Sequence, residues 1–294
     1  MKKISNTPLV SVVTPAYNAE RFLEITLKSV MRQTYPKIEH MVIDDGSTDR
    51  TPEILKKYEK KYNLIWFSKQ NEGQAITVNK GFMMAHGEIV VWLNADDVLF
   101  KRTTITDVVD LFRSRPEIGV VYGHMAIIDE QNRILMVQYM PPKLNYKILS
   151  VAHYGAPCIF YRKEVALQYK LNPHLNYALD YDQCLRMARD GVKFGFLDDI
   201  VIGWRRHRAA KSVAKRAMLM GETYYLKKKY GVSTKHAFLI KTKIYPLIFS
   251  RKVVSGILYL SCLYSSEQEK YILAFTPVID CLPKALIRQI IPYL

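Results

Sequence analysis

Cysteine is scarce in this 294-residue chain: four residues, at 158, 184, 262 and 281, with no Cys-x-x-Cys pair and no histidine at zinc-finger spacing. That argues against a disulfide framework or a structural zinc and favours a reducing, cytoplasmic setting. An apolar leader is missing too, since Lys2 and Lys3 run into Ser5, Asn6, Thr7 and Pro8 and not into a signal-peptide core. No apolar run reaches the roughly 18 residues of a spanning helix. Even Val253 to Tyr264 is interrupted by Ser255, Gly256 and Ser261. The first turn, Thr14-Pro15-Ala16-Tyr17-Asn18, lacks the Gly-x-Gly-x-x-Gly of a dinucleotide oxidoreductase. Acid is absent from one region above all: between Arg205 and Lys252 fourteen Lys and Arg face Glu222 alone, a net +13 out of the formal +16. The basic character therefore belongs to a C-terminal segment and not to the fold ahead of it.

What is present is an alternation of strands and helices. Leu9 to Thr14 is a short continuous apolar run, as a strand buried on both faces requires, and Pro15-Ala16-Tyr17-Asn18 breaks it. Leu23, Leu27, Val30 and Met31 then place an apolar stripe on a helix. A second strand, 40–43, is closed by Asp44-Asp45-Gly46-Ser47-Thr48-Asp49, and Thr51-Pro52 reads as the cap and first residue of a helix. A third strand at 64–67, a helix through Ala75, Val78, Phe82 and Ala85, and a fourth strand at 89–93 complete the pattern. Such alternation predicts a parallel sheet with right-handed crossovers, whose ligands bind at the carboxyl ends of the strands. The polar clusters at 15–18, 44–49 and 94–97 all fall at those ends. Beyond Lys101 the alternation weakens. Short strands at 120–122, 126–128, 134–137, 158–161 and 194–197, with a helix about 185–188, predict a mixed second half.

The strand Val90-Val91-Trp92-Leu93 runs into Asn94-Ala95-Asp96-Asp97, two adjacent carboxylates that repel each other. A hard divalent cation, Mg²⁺ or Mn²⁺, would reconcile them, because it takes one or two carboxylates and completes its shell with water and phosphate oxygens. A solvated turn, or a cap for the helix beginning near Thr103, is the other reading.

Six pieces in order, Ser11-Val12-Val13-Thr14-Pro15-Ala16-Tyr17-Asn18, Gln33-Thr34-Tyr35, Val42 to Asp49, Asn79-Lys80-Gly81, Gly87-Glu88-Ile89 and Asn94-Ala95-Asp96-Asp97, resemble the family 2 glycosyltransferases. The resemblance covers residues 8 to about 208. It implies a GT-A type nucleotide-diphospho-sugar transferase fold: α/β, with a mostly parallel central sheet flanked by helices. By the same resemblance Pro15 and Tyr17 contact the nucleotide base, Asp45 accepts a hydrogen from it, and Asp44 holds the Gly46 turn. Asp96 contacts the sugar or ribose and Asp97 ligates the metal, with roles open to sharing. Gln74 falls in the donor site, and Lys80 either approaches it or lies on a solvated helix face. The family often has Asp where Asn94 stands, so the metal-binding weight rests on Asp97 with Asp96 beside it. Leu179-Asp180-Tyr181-Asp182 resembles the family's acidic motif, which makes Asp180 the catalytic base or, more blandly, a helix cap, and pairs Asp182 with Arg186. In Trp204-Arg205-Arg206-His207-Arg208 the histidine approaches the metal and the arginines favour a diphosphate. His153 before Gly155-Ala156-Pro157 matches an acceptor-side segment more loosely.

The sequence divides into a catalytic domain, 1–208, with a nucleotide-sugar half (about 8–100) and an acceptor half (about 101–208), and a basic, apolar helical region, 209–294. That region suits an amphipathic segment on an anionic bilayer or a helical cap on the catalytic domain. The expected activity is metal-dependent, inverting transfer of a sugar from a nucleotide-diphosphate donor, a UDP-sugar foremost. The acceptor is a hydroxyl of a polysaccharide or lipid-linked glycan, at the inner face of the cell membrane. The alternative is a non-catalytic basic protein that binds a membrane surface or nucleic acid on an α/β scaffold, although no nucleic-acid motif accompanies the charge.

Overall fold

The computed structural model describes residues 4–151 and 159–231, which belong to one compact unit spanning Met1–Val232. The expectations for His153, Gly155 to Pro157, and the chain beyond 231 lie outside the described residues. The nucleotide-sugar half runs β1 (Val10–Ala16), α1 (Leu23–Met31), β2 (Ile38–Asp44), α2 (Thr51–Tyr58), β3 (Leu64–Ser68), α3 (Gln74–Met84) and β4 (Ile89–Trp92). Then follow β5 (Val98–Leu99), α4 (Thr104–Ser114), β6 (Val120–Ile128), β7 (Ile134–Gln138), α5 (Tyr146–Val151), β8 (Ile159–Arg162) and α6 (Lys163–Gln168). The described chain closes with α7 (Leu179–Arg189), β9 (Phe194–Arg205), α8 (Lys211–Ala214) and α9 (Arg216–Lys229).

One sheet runs in the order β3-β2-β1-β4-β8-β6-β9-β5, with β7 paired to the flank of β6. Its first four strands are all parallel. Beyond β4 the sheet is mixed: β8 is antiparallel to both β4 and β6, while β6 and β9 are parallel. Uniformly parallel pairing thus holds for the nucleotide-sugar half, while the second half mixes both kinds. Val12, Val13, Val90 and Val91 have no exposed surface, and they divide between two apolar clusters, Val13 and Val90 on one face of the sheet and Val12 and Val91 on the other. Burial on both faces explains their unbroken apolar runs.

Two glycines set how closely elements approach. A Cβ on Gly81 would stand 2.3 Å from Val13 Cγ1, so only glycine lets α3 lie this close to β1; overpacking there costs about 1–3 kcal/mol. A Cβ on Gly123 would stand 2.7 Å from the Asp199 carbonyl oxygen. Gly123 lies within a single strand, β6, where the sequence suggested two short ones, and the β6–β9 register shifts beside it.

Smaller differences have local causes. Thr51 does not cap α2: its Oγ1 accepts the Ala19 N–H at 2.8 Å, while Asp49 Oδ1 accepts the Thr51 N–H at 2.9 Å. Met31 falls outside the buried stripe of α1. The compact unit continues through α8 and α9, which the sequence assigned to the C-terminal region.

Candidate active site

The carboxyl ends of β1, β2 and β4 open into a cleft of about 1190 Å³. Pro15, Tyr17, Asp45, Gln74, Asp96, Asp180 and His207 all line it.

At the end of β1, Asn18 adopts a left-handed conformation (φ 47°), which asparagine tolerates better than most residues. Its N–H reaches Ser47 Oγ at 2.9 Å and its Oδ1 accepts the Thr48 N–H at 2.8 Å, locking this turn to the one after β2. Tyr17 is thereby turned outward, 54% exposed, an aromatic face open to a planar ligand.

The two aspartates after β2 divide their work. Asp44 is buried and accepts the Ser47 N–H at 3.0 Å and the Ser68 hydroxyl at 2.8 Å, so it holds the Gly46 turn. Asp45 receives Lys69 Nζ and the N–H groups of Glu72 and Gly73, both at 3.0 Å. Burial alone would push the Asp45 carboxyl up, but the bonds from Lys69 and the Glu72 N–H outweigh it and hold it below the ordinary carboxylate range. The loop 69–73, which delivers Gln74 to the cleft, is tied down by this one side chain.

After β4 a hydrogen-bonded chain crosses the cleft floor. Gln74 Nε2 donates to Asn94 Oδ1 at 3.0 Å, Asn94 Nδ2 donates to Asp97 Oδ2 at 2.9 Å, and the Arg205 N–H donates to Asp97 Oδ1 at 2.8 Å. Asp97, only 1% exposed, does not line the cleft. Burial first, and the Asp96 charge second, push its carboxyl well above the usual range. Its carboxylate faces protein donors, whereas the sequence reading makes Asp97 the metal ligand with Asp96 beside it. Asp96 faces the cleft instead, with Oδ2 2.9 Å from His207 Nε2.

The arginines of 204–208 separate in the same way. Arg205, fully buried, spends its guanidinium on the carbonyls of Asp96 (2.8 Å) and Asp129 (2.7 Å) and on Asn132 Oδ1 (2.8 Å). It is a clamp between two loops, unavailable to a diphosphate, whereas Arg206 lines the cleft. Phe22 stacks near both the His207 ring (4.8 Å) and the Arg205 guanidinium (5.0 Å), fixing β9's end. Lys80 is outside the cleft, its Nζ 5.5 Å above the Phe67 ring.

Asp180 enters from the far wall, half-buried in the first turn of α7. Asp182 is buried and pairs with Arg186 Nε at 2.8 Å, as the i, i+4 spacing predicts. Among the described residues no three His, Cys, Asp or Glu side chains gather in metal-binding geometry. Asp96 and His207 stand as an acid–imidazole pair on the cleft lining.

Sequence reasoning did not find Arg205's clamp, Phe22, Lys69 or Glu222. The partners that hold them lie between 24 and 185 residues away, and no short motif records them.

Comparison with known proteins agrees with this geometry. The sequence pattern of glycosyl transferase family 2 matches residues 11–169. A glycosyltransferase of Rickettsia typhi is 28% identical over 221 residues, 71% of this chain and 67% of its own. The putative teichuronic acid biosynthesis glycosyltransferase TuaG of Bacillus subtilis is 42% identical over 93 residues, covering 31% of this chain and 36% of TuaG. Among solved structures, S. aureus TarS 1-349 in complex with UDP-GlcNAc superposes with a TM-score of 0.59 at 22% identity, over 70% of this chain and 61% of TarS. The mannosyltransferase PcManGT from Pyrobaculum calidifontis, in complex with GDP-Man and Mn2+, gives 0.54 at 18% identity, over 90% and 89%. The chain thus spans less than two thirds of TuaG and of TarS 1-349, and the structural likeness establishes the fold, GT-A. With the family pattern covering more than half of the sequence and meeting the cleft at Pro15, Tyr17, Asp45 and Asp96, this chain belongs to glycosyl transferase family 2 and is a glycosyltransferase.

Proposed function

We propose that the cleft transfers a hexose-type sugar from a nucleotide-diphosphate donor, a UDP-sugar foremost, to an acceptor hydroxyl with inversion. One observation carries this reading: Tyr17, Asp45 and Asp96 come from three strand ends, and Asp180 from a helix, yet all line one cleft. Pro15 and Tyr17 frame the base, Asp45 accepts a hydrogen from it, and Gln74 borders the donor. TarS was solved with UDP-GlcNAc, which supports a UDP donor.

The residues fit a divalent cation, Mn²⁺ or Mg²⁺. Asp96 Oδ2 and His207 Nε2, a carboxylate oxygen and an imidazole nitrogen, face each other 2.9 Å apart on the cleft lining. Asp96 and His207 would hold the ion, and Asp97 supports the Asp96 turn from beneath. When bound, the ion neutralises charge developing on the departing diphosphate. Asp180 takes the proton from the acceptor hydroxyl as that oxygen attacks the anomeric carbon and the bond to the diphosphate breaks. One displacement inverts the centre.

We place the acceptor among polysaccharides or lipid-linked glycans at the cytoplasmic face of the membrane. TuaG's teichuronic acid assignment supports that setting. So does α9, which exposes Met218, Met220, Tyr224 and Tyr225 beside Lys227, Lys228 and Lys229, a composition suited to an anionic surface. No described helix is long and apolar enough to cross a membrane.

Calorimetry with UDP, with and without Mn²⁺, followed by a hydrolysis screen over UDP, GDP and dTDP sugars, tests the reading. Metal-linked UDP binding that disappears in Asp96→Ala is expected. Absent heat would overturn the UDP donor and the cation, and heat unchanged in the variant would remove Asp96 from the metal site.

A further inference from the structure

Glu222, the single acid among fourteen cations between Arg205 and Lys252, is spent on main-chain donors. Its Oε1 accepts the Asn176 N–H at 2.9 Å, and its Oε2 accepts the N–H groups of Tyr177 at 2.8 Å and Ala178 at 2.9 Å. Ala178 is the N-cap of α7, and Asp180 follows two residues later. The same helix, α9, leads to Tyr230, whose hydroxyl donates to Asp182 Oδ1 at 2.7 Å. Tyr177 carries two more contacts from this region, its hydroxyl 3.2 Å from Met218 Sδ and its ring 5.4 Å beneath Lys211 Nζ. The turn that bears Asp180 is therefore gripped on both sides by residues beyond the family match, which ends at 169.

We propose that Glu222 is a positioning residue for Asp180. A helix N-terminus leaves N–H groups unpaired and attracts the nearest carboxylate. Here the work is divided: Asp180 Oδ1 accepts the Tyr181 N–H at 2.7 Å, and Glu222 accepts the N–H of the cap residue, Ala178. By holding the main chain of Asn176, Tyr177 and Ala178, Glu222 fixes the backbone from which Asp180 reaches the cleft. A reacting group misplaced by about 1 Å costs on the order of 100-fold in rate. This inference rests on Asp180 acting as the base.

The test uses the full chain, Mn²⁺, and whichever UDP, GDP or dTDP sugar the wild type hydrolyses fastest, with water as acceptor. Glu222→Ala is expected to lower kcat by about 10- to 100-fold, while KM for the donor and the calorimetric Kd for UDP stay within about twofold. Glu222→Gln, whose amide oxygen can still accept the Tyr177 and Ala178 N–H groups but whose NH2 cannot accept that of Asn176, recovers part of kcat. In an Asp180→Asn background Glu222→Ala causes no further loss. Should Glu222→Ala fail to fold, Glu222→Asp, one methylene shorter, carries the same comparison at an unchanged Tm. A wild-type kcat in the shortened or truncated side chain, or a loss of UDP binding in proportion to kcat, overturns the proposal. An Asp180→Asn enzyme of wild-type kcat would overturn the base reading instead, whereas an inactive Asp180→Asn beside a fully active Glu222→Ala would overturn only the positioning.

Discussion

Where β2 and α3 meet the cleft its lining residues are fastened close to home; where β9 and α7 close it they are fastened from far along the chain. Asp45 is met by Lys69, Glu72 and Gly73, all within 28 residues, and Gln74 meets Asn94 across 20. Asp96 is joined to His207 across 111 residues, and its carbonyl to Arg205 across 109. The topology explains the difference. Parallel strands joined by short crossovers bring consecutive strand ends side by side, so a donor site can be built from adjacent βα units. The acceptor half interleaves β8 between β4 and β6 and brings β9 back beside β6, so its site depends on returning strands and on helices added last. Under the proposed function, base recognition would belong to a self-contained module, and the diphosphate and acceptor chemistry to the closure of the whole unit.

That contrast can be broken. Its sharpest test is Asp180→Asn, expected to reduce turnover by about 10²- to 10⁴-fold while UDP affinity is retained. Single-turnover kinetics with parallel calorimetry would separate the two, and a matching loss of UDP binding would show that the halves are not independent. Next comes Arg205. Replacing it by Ala leaves the Asp96 and Asp129 carbonyls without their donor and should cost about 3–5 kcal/mol in denaturant unfolding. Arg205→Lys, a single ammonium in place of a planar fork, should not recover the loss. Full stability in either variant would mean that the long-range clamp is dispensable.

The smallest effect lies in the donor half. His40 is buried between Thr14 and Tyr62, at 2.9 and 2.7 Å, and burial pushes its pKa down to about 3 from an ordinary 6.5. Because the unfolded chain binds this proton more readily, the contribution to stability is complete above pH 6.5 and is lost as the pH falls from 6.5 towards 3. The slope should be about 1.4 kcal/mol per pH unit within that window. Urea melts between pH 7 and 5 should show it, and His40→Gln should flatten it. An unchanged slope would place the acid sensitivity elsewhere.

The same contrast governs what could be read in the sequence. Val12, Val13, Val90 and Val91 declared themselves as buried strands because both faces are covered, and the polar clusters after them marked the cleft because parallel strands align their ends. The i, i+4 pair Asp182–Arg186 was legible for the same reason: helical spacing is local. Val98–Leu99 was not, since two residues carry no periodicity. Nor was Gly123, which punctuates a sequence like a turn but here lets two strands press together. Asp96 and Asp97 could not be told apart by composition. Only the return of β9 decides which faces Arg205's main chain and which faces the cleft.

Asn94 stands where the family often has a carboxylate, and its position in the floor gives that exchange a direction. An amide is two-handed: it accepts from Gln74 with one atom and donates to Asp97 with the other. An ionised aspartate could only accept, so it would lose the donation to Asp97 and add a third acid beside Asp96 and Asp97, the link surviving only where Asp97 supplies the proton. The single atom that separates the two side chains makes this floor a one-way street from Gln74 inward, and restoring the family's usual acid would require its neighbours to be rewritten with it.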